Sequence, residues 1–163
     1  MQKSRSANFL ILNGALVALI GLIAGVGLLF EVLDAVAIWP FFVELPSGFP
    51  GTQTGWQLAH VAGLMNGMLM IVCALAIGFL EIEGLRRRLI VWCMVYTGWG
   101  NTLFFHFANF SANRALALEP SKLGTVDTAG AIGYFFGATT IPCTLLAVLI
   151  LAFAAYRRTF RSG

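Results

Sequence analysis

The stretch WQLAHVAGLMNGMLMIVCALAIGFL, residues 56–80, decides the fold. It contains no Asp, Glu, Lys or Arg, and it is long enough to cross the ~30 Å hydrocarbon core of a bilayer, which takes about 20 helical residues. Further runs of the same kind cover residues 8–30, 89–108 and 128–156. Because lipid offers no hydrogen-bond partner to unpaired backbone N–H and C=O groups, each run is expected to be helical. The sequence therefore predicts an all-α integral membrane protein, a four-helix bundle with a single transmembrane domain over residues 1–163.

The composition also indicates a chain that lies in lipid. Of the 163 residues, 59% are hydrophobic and 10% are charged, whereas a soluble domain carries about a quarter charged residues. The net charge of +3 is too small and too scattered to predict a nucleic-acid partner. The first apolar run is too long for the core of a signal peptide and lacks a clear cleavage site. Membrane lipid is therefore the expected surrounding.

The basic residues predict the orientation, because Lys and Arg are enriched on the cytoplasmic side of membrane proteins. With an even number of spans, eight of the ten basic residues fall on the side that carries both termini: Lys3, Arg5, Arg86, Arg87, Arg88, Arg157, Arg158 and Arg161. Arg114 and Lys122 fall on the opposite side. We predict a multi-pass protein of the bacterial inner membrane with both termini in the cytoplasm.

The outer loops have distinct compositions. Pro40, Pro46 and Pro50 exclude a continuous helix over residues 31–55, so this aromatic-rich loop is expected to lie on the membrane surface or partly re-enter it. In the second outer loop, Asp127 or Thr125 is expected to cap the fourth helix.

Glycines four residues apart mark expected helix contacts. Such pairs occur in three of the four runs, as Gly21 and Gly25, Gly63 and Gly67, and Gly133 and Gly137. This spacing lets helices approach closely, so it favours a tight bundle or a homo-oligomer.

Polar side chains inside the apolar runs are the candidate functional residues, since such groups are costly in a membrane. His60 and Asn66 lie in the second run, and Asn101 and His106 lie in the third. The opposite directions of the two runs place all of them in the outer half of the bundle, where they could line one cavity. Gly63 and Gly67 share a face with His60 and would leave room there for a flat group. The alternative is that these polar groups only join helices and that the aromatic residues nearby only pack.

The chemistry that these residues permit is narrow. The sequence has no Ser–His–Asp set, no HExxH, no CxxCH and no chain of acids within the spans. Cys73, Cys93 and Cys143 lie in apolar runs without CxxC spacing, so they are predicted to be buried apolar residues rather than disulfides or metal ligands. Non-covalent haem held by a single histidine fits what remains. Its propionates would need partners near the surface, and the candidates are Asn109, Asn113 and Arg114.

Three segments carry a family resemblance: IWPFFVEL from residue 38, GWQLAHVAGLMNGM from residue 55, and GWGNTLFFHFANFSANRAL from residue 98. Together they resemble the styrene oxide isomerase family of small four-span membrane proteins. The resemblance implies a homotrimer that binds haem b between subunits. It also implies that the ferric iron acts as a Lewis acid, which rearranges an aryl epoxide to an aldehyde in a Meinwald reaction. It makes His60 the axial iron ligand and places Asn66 in the substrate pocket, where it holds the oxygen.

Departures from the family pattern concern the same pocket. Phe105 stands where the family has a tyrosine, and Thr97 stands where it has an aspartate. With Trp99 and Phe104, Phe105 is expected to form apolar walls, and Asn101 is a further candidate catalytic residue. His106 stands where the family has an apolar residue, and it could act as a second iron ligand.

Three hypotheses follow. The first is a haem b-dependent membrane isomerase that acts on small apolar epoxides such as styrene oxide. The second is a non-catalytic haem protein of the same fold, serving electron transfer or haem sensing, with His60 and His106 both on the iron. The third is a helical bundle without a cofactor, in which the histidines only join helices.

Overall fold

Residues 2–160 form four long helices and one short hairpin. The computed structural model describes these residues, with side chains from residue 5 onward, so Arg161 and the side chain of Lys3 lie outside the described part. In chain order the elements are α1 Gln2–Leu33, β1 Ala35–Ile38, β2 Phe41–Glu44, α2 Gln53–Phe79, α3 Gly84–Asn109 and α4 Thr128–Phe160. α1 packs along α2, α3 packs along α4, and contacts of α2 and α1 with α3 join the two pairs.

The directions of the helices define two ends of the molecule. α1 and α3 end, and α2 and α4 begin, at what we term the hairpin end, next to the β hairpin. The opposite end carries the arginines at the start of α3 and those at the C-terminal end of α4, and we term it the arginine end.

Within the described residues, three helices are long and apolar enough to cross a membrane: Arg5–Leu33 of α1, all of α2 and all of α4. α3 has 26 residues but a lower mean hydropathy. It begins with the arginines at positions 86–88, and it carries the candidate residues Asn101, His106 and Asn109. The described helices confirm a membrane protein and three of the four predicted spans by length and composition.

Glycines bring α1 and α2 into backbone contact. A Cβ added to Gly63 would lie 2.5 Å from Gly21 Cα, and one added to Gly67 would lie 2.5 Å from Gly14 O. No residue larger than glycine fits at such distances without a shift of one helix. The prediction that the Gly21 and Gly63 pairs mark helix contacts is confirmed.

The loop after α1 contains regular structure that the sequence reading did not predict. β1 pairs antiparallel with β2, with Ala35 opposite Glu44 and Ile38 opposite Phe41. The all-α prediction therefore needs correction: the chain is mostly helical with a two-stranded hairpin. Valine, isoleucine and phenylalanine on both sides of the Trp39–Pro40 turn favour extended backbone, and pairing satisfies half of its peptide groups. As predicted, no continuous helix runs through residues 31–55, since α1 ends at Leu33 and α2 begins at Gln53.

The apolar core lies toward the arginine end, between α1, α2 and α3. Its fully buried members include Leu10, Met70, Ile77, Ile90 and Met94. Of the cysteines, Cys73 is buried in this core as expected, whereas Cys93 and Cys143 are half-buried, and all three are free thiols. The hairpin end is consequently the part of the bundle where polar side chains enter the interior.

Asp127 anchors the start of α4 to the preceding loop. Its Oδ1 accepts the backbone N–H of Gly130 at 2.6 Å, and its Oδ2 accepts the N–H of Ala112 at 2.9 Å. These donors hold the pKa of the Asp127 carboxyl below its usual range, because they stabilise the charged form. The prediction of a cap at this position is confirmed for Asp127.

Candidate functional site

An amide and hydroxyl chain crosses the bundle between α2, α3 and α4. Asn101 Nδ2 donates to Asn66 Oδ1 at 3.0 Å, and Thr140 Oγ1 donates to Asn101 Oδ1 at 3.0 Å. Asn66 Nδ2 in turn donates to Ala62 O at 2.8 Å. Each Asn side chain is thus fixed in orientation, and one N–H of Asn101 has no acceptor among the described residues. The predicted proximity of Asn66 and Asn101 is confirmed.

Two further threonines extend this chain by one turn toward the arginine end. Thr97 Oγ1 lies 2.9 Å from Thr144 Oγ1, and Thr144 Oγ1 donates to Thr140 O at 2.9 Å. Because the Thr144 hydroxyl has a single hydrogen, Thr97 is the donor of their mutual bond. Thr97 is fully buried, so the position at which the family resemblance implies an aspartate is here a neutral, hydrogen-bonded one.

A cavity of about 540 Å³ opens beside Asn101, between α3 and α4. Phe104 and Phe105 line it from α3, whereas Tyr134, Thr140 and Thr144 line it from α4. The structure therefore brings together Asn101 and Phe105, as predicted, in one largely apolar space. Asn66 is not among the lining residues and reaches this cavity only through its bond to Asn101.

A smaller cavity of about 200 Å³ lies nearer the hairpin end and shares Phe104 and Phe105 with the larger one. It is lined by Thr52, Leu58, Phe104, Phe105, Asn109 and Arg114, among others. Asn109 is 5% exposed, and its Oδ1 accepts from the N–H and hydroxyl of Thr52 at 2.8 and 3.2 Å. Its Nδ2 is buried without a hydrogen-bond partner. Such an orphaned donor is costly, so a ligand oxygen would stabilise it.

The loop after α3 positions Arg114. Asn113 is fully buried, and its Oδ1 accepts from Ser111 Oγ and Ala115 N while its Nδ2 donates to Ala117 O. Arg114 itself has a positive φ of 55° and is exposed at the smaller cavity. Asn113 thus shapes the loop, and its side chain is committed to that task. Of the three residues predicted to hold propionates, Arg114 and Asn109 line the cavity.

His60 lies on the flank of α2 that contacts α1. Its Nδ1 lies 2.8 Å from Gly21 O, and its ring packs on Gly25, where an added Cβ would lie 2.6 Å from Nδ1. Since a carbonyl oxygen only accepts, Nδ1 carries a hydrogen, and in a neutral ring Nε2 then keeps the lone pair. This is the tautomer that a metal-binding histidine adopts when its other nitrogen donates to a backbone carbonyl.

The predicted gap beside His60 does not exist within one chain. Gly63 and Gly67 contact the backbone of α1, so that helix fills the space expected for a flat group. Nor do the polar groups share one cavity, since His60 contacts α1 whereas Asn66 contacts α3. The two residues are six apart, which places them about 240° apart around the helix. Two side chains at a similar depth in the bundle can therefore face different neighbouring helices.

His106 and Trp99 also face away from Asn101. Trp99 Nε1 donates to Asn13 Oδ1 of α1 at 2.9 Å, and His106 Nδ1 lies 2.7 Å from Thr102 O. Both residues line a separate cavity of about 410 Å³ next to Ile20. The prediction that Trp99 and Phe105 form walls of the same pocket is wrong, because the two side chains leave α3 on different sides.

The sequence reading missed the contribution of α4. Tyr134, Thr140 and Thr144 are hydroxyl-bearing residues in an otherwise apolar run, and Thr140 and Thr144 share a helix face at the four-residue spacing. That spacing was a readable signal. Gly100 supports the arrangement, because a side chain there would meet Thr140 and push it away from Asn101.

These features define the class: a helical membrane protein with a buried, neutral amide and hydroxyl site at one end of its bundle. The profile of the styrene oxide isomerase family matches residues 6–156. A styrene-oxide isomerase from Pseudomonas fluorescens is 33% identical over 129 residues, which cover 77% of this chain and 76% of that protein. The chain belongs to the styrene oxide isomerase family.

Proposed function

We propose that this protein is a membrane epoxide isomerase that converts aryl epoxides such as styrene oxide to aldehydes. The observation that carries the proposal is the fixed Asn101 amide at a phenylalanine-walled cavity, in a chain that belongs to the styrene oxide isomerase family. In this Meinwald reaction the benzylic C–O bond breaks and a hydride moves from the oxygen-bearing carbon to the benzylic carbon. The carbonyl bond then forms, so that atoms and electrons balance without an external reductant.

The proposed roles of the residues follow from their positions. The unused N–H of Asn101 would bind the epoxide oxygen, and Asn66 would act as a positioning residue by fixing that amide. Phe104 and Phe105 would exclude water, which would otherwise trap the opened epoxide as a diol. Their ring faces would also stabilise positive charge at the benzylic carbon.

The proposed topology has four membrane crossings, with both termini in the cytoplasm. The arginines at one end of the bundle support this orientation. α3 would cross despite its lower hydropathy, because Thr97, Thr102 and Asn109 are buried against the other helices instead of facing lipid. Its 26 residues extend about 39 Å, enough for the hydrocarbon core.

We also propose that the protein binds haem b, with His60 as the axial iron ligand. The tautomer of His60 suits a metal, and the orphaned Asn109 Nδ2 and the Arg114 guanidinium suit propionates. When bound, the haem would supply a Lewis-acidic iron for the epoxide oxygen. His60 and the Asn101 cavity lie on different flanks of one chain, which favours a site shared between subunits. We propose that these subunits form the homotrimer that the family resemblance implies.

The test is a spectrum and a product assay on the detergent-purified protein, isolated from cells supplied with haem. A Soret band that shifts when styrene oxide is added, together with phenylacetaldehyde as product, is the expected result. Colourless protein would contradict the haem assignment. Coloured protein that leaves styrene oxide unchanged would contradict the isomerase assignment.

A second candidate function is a non-catalytic haem protein with two histidine ligands. The observation in its favour is that His106 Nδ1, like that of His60, faces a backbone carbonyl and leaves Nε2 free. On this alternative, the ferric protein would be six-coordinate and low-spin, and its spectrum would not respond to epoxide.

A further inference from the structure

We propose that Tyr134 is a further catalytic residue, whose phenolic O–H donates to the substrate oxygen in the cavity between α3 and α4. The inference rests on the proposed isomerase function and adds a hydrogen-bond donor from α4 to that site. Tyr134 lines the same cavity as Asn101 and Phe105.

The hydroxyls of this cavity differ in whether their hydrogens are already used. Three lining residues carry a hydroxyl: Tyr134, Thr140 and Thr144. The Thr140 hydroxyl shares its hydrogen between Asn101 Oδ1 and Gly137 O, and Thr144 Oγ1 donates to Thr140 O. Tyr134 makes no hydrogen bond to any described residue. Its phenol is therefore the hydroxyl that remains available to a ligand.

Two glycines, Gly133 and Gly137, lie next to Tyr134 in α4. Gly133 packs against Ala115 and Phe107, and Gly137 packs against the ring of Phe104, where an added Cβ would lie 2.8 Å from Cδ2. These glycines bring α4 close to α3 on both sides of Tyr134. The phenol thus shares a largely apolar cavity with Phe104 and Phe105, the aromatic walls that would hold an aryl epoxide.

The chemistry asks for a donor that stays neutral. The O–H of a phenol donates a hydrogen bond without carrying a charge itself. As the C–O bond breaks, negative charge grows on the oxygen, and the O–H···O bond strengthens. The hydride then shifts with its electron pair, the oxygen becomes a carbonyl oxygen, and Tyr134 keeps its proton throughout.

The cavity also offers a second position, residue 105, at which a phenol lost from position 134 can be replaced. Phe105 lines the same cavity from the opposite helix, at the position where the family resemblance places a tyrosine. Exchanging the two side chains, as Tyr134→Phe with Phe105→Tyr, moves the phenol across the cavity without changing its total volume much. A structural role of Tyr134 in α4 packing would not be restored by that exchange.

The experiment compares steady-state styrene oxide isomerisation by the haem-loaded wild type and its variants. Tyr134→Phe is expected to lower kcat on the order of 100-fold with little change in KM, since the donor acts mainly in the transition state. The exchange variant should recover part of that loss. Tyr96→Phe is the control, because the Tyr96 hydroxyl is hydrogen-bonded to Thr139 Oγ1 at 2.6 Å and Tyr96 does not line the cavity. A Tyr134→Phe enzyme that keeps the wild-type kcat overturns the proposal.

A binding measurement separates failure of this inference from failure of the proposed function. The two probes are acetophenone, whose carbonyl oxygen only accepts hydrogen bonds, and ethylbenzene, which has no oxygen atom. The wild type should bind acetophenone about tenfold more tightly than Tyr134→Phe does, while ethylbenzene should bind both equally. Equal acetophenone affinities overturn the role of Tyr134 whether or not the protein isomerises epoxides. An inactive wild type with the expected binding difference would instead contradict only the isomerase function.

Discussion

Asn101 of α3 donates to Asn66 of α2 across the bundle, with Nδ2 and Oδ1 3.0 Å apart. This bond decides which way the Asn101 amide points. Its oxygen accepts from Thr140 on α4, so one amide links three helices and still has one N–H to offer. A binding group held from two sides in this way loses little freedom when substrate arrives, which is what preorganised catalysis requires.

The first prediction concerns Asn66. Asn66→Ala removes the acceptor that orients Asn101, so kcat for styrene oxide should fall on the order of 100-fold while haem content stays at the wild-type level. Steady-state kinetics and the pyridine haemochrome assay measure the two quantities. Asn13→Ala is the matched control. It also removes an asparagine that hydrogen-bonds to another helix, through Trp99, but this bond lies away from the cavity. Normal turnover by Asn66→Ala would show that Asn101 needs no such support.

Part of this site was predictable from the sequence, and the reason lies in the cost of polar groups in lipid. Asn66 and Asn101 stand out in apolar runs, and helix direction alone gives their depth. The direction in which each side chain points is harder to predict, because the sequence does not say which helix packs against a given face of its own helix. The sequence therefore predicts a gap beside Gly63 and Gly67, whereas α1 fills that space in the structure.

The residues that were missed have weaker signals. Threonines are common in membrane helices, because their hydroxyls can bond the preceding turn of their own helix, so Thr140 did not stand out. The hairpin was missed because the prolines of its loop exclude a helix without indicating which extended segments pair. Both errors concern partners distant in sequence, which local pattern does not identify.

The histidines carry the second prediction. His60→Ala should yield protein without haem, whereas His106→Ala should retain haem with an unchanged ferric spectrum, because the proposed iron ligand is His60 alone. Absorption spectra of the purified variants decide this. A change from a six-coordinate low-spin to a five-coordinate spectrum in His106→Ala would favour the two-histidine alternative.

The third prediction tests the α1–α2 contact. Gly63→Ala should lower the free energy of unfolding by about 1–3 kcal/mol, because its methyl group would meet the backbone of Gly21. Gly78→Ala in the same helix is the control: nothing lies within 4 Å of its added Cβ, so this variant should be neutral or slightly stabilised. Unfolding in mixed detergent micelles measures both. Equal stability of the two variants would contradict the close contact of α1 and α2.

The fourth prediction concerns pH and the start of α4. The folded-state pKa of Asp127 is lowered, so its contribution to stability is present above the unfolded pKa of about 3.9 and is lost as pH falls through the folded value. Asp127→Asn should therefore unfold at a lower temperature than the wild type at neutral pH, and this difference should shrink below about pH 4. Glu119→Gln, which removes a carboxylate with no hydrogen bond to a described residue, should show no such difference. If the difference in unfolding temperature between Asp127→Asn and the wild type did not change with pH, the charge of Asp127 would not be what stabilises the loop.

The fifth prediction concerns Arg114 and the smaller cavity. Removing one charge-assisted hydrogen bond to a propionate should weaken haem binding about tenfold, so Arg114→Ala should release haem to apomyoglobin faster than the wild type does. Lys122→Ala is the control, since it removes a positive charge from the same loop at a residue that does not line the cavity. Equal weakening by both variants would indicate only a general effect of charge. Undiminished haem affinity in Arg114→Ala would remove this residue as a propionate partner, and the orphaned Asn109 Nδ2 would then be the donor to test next.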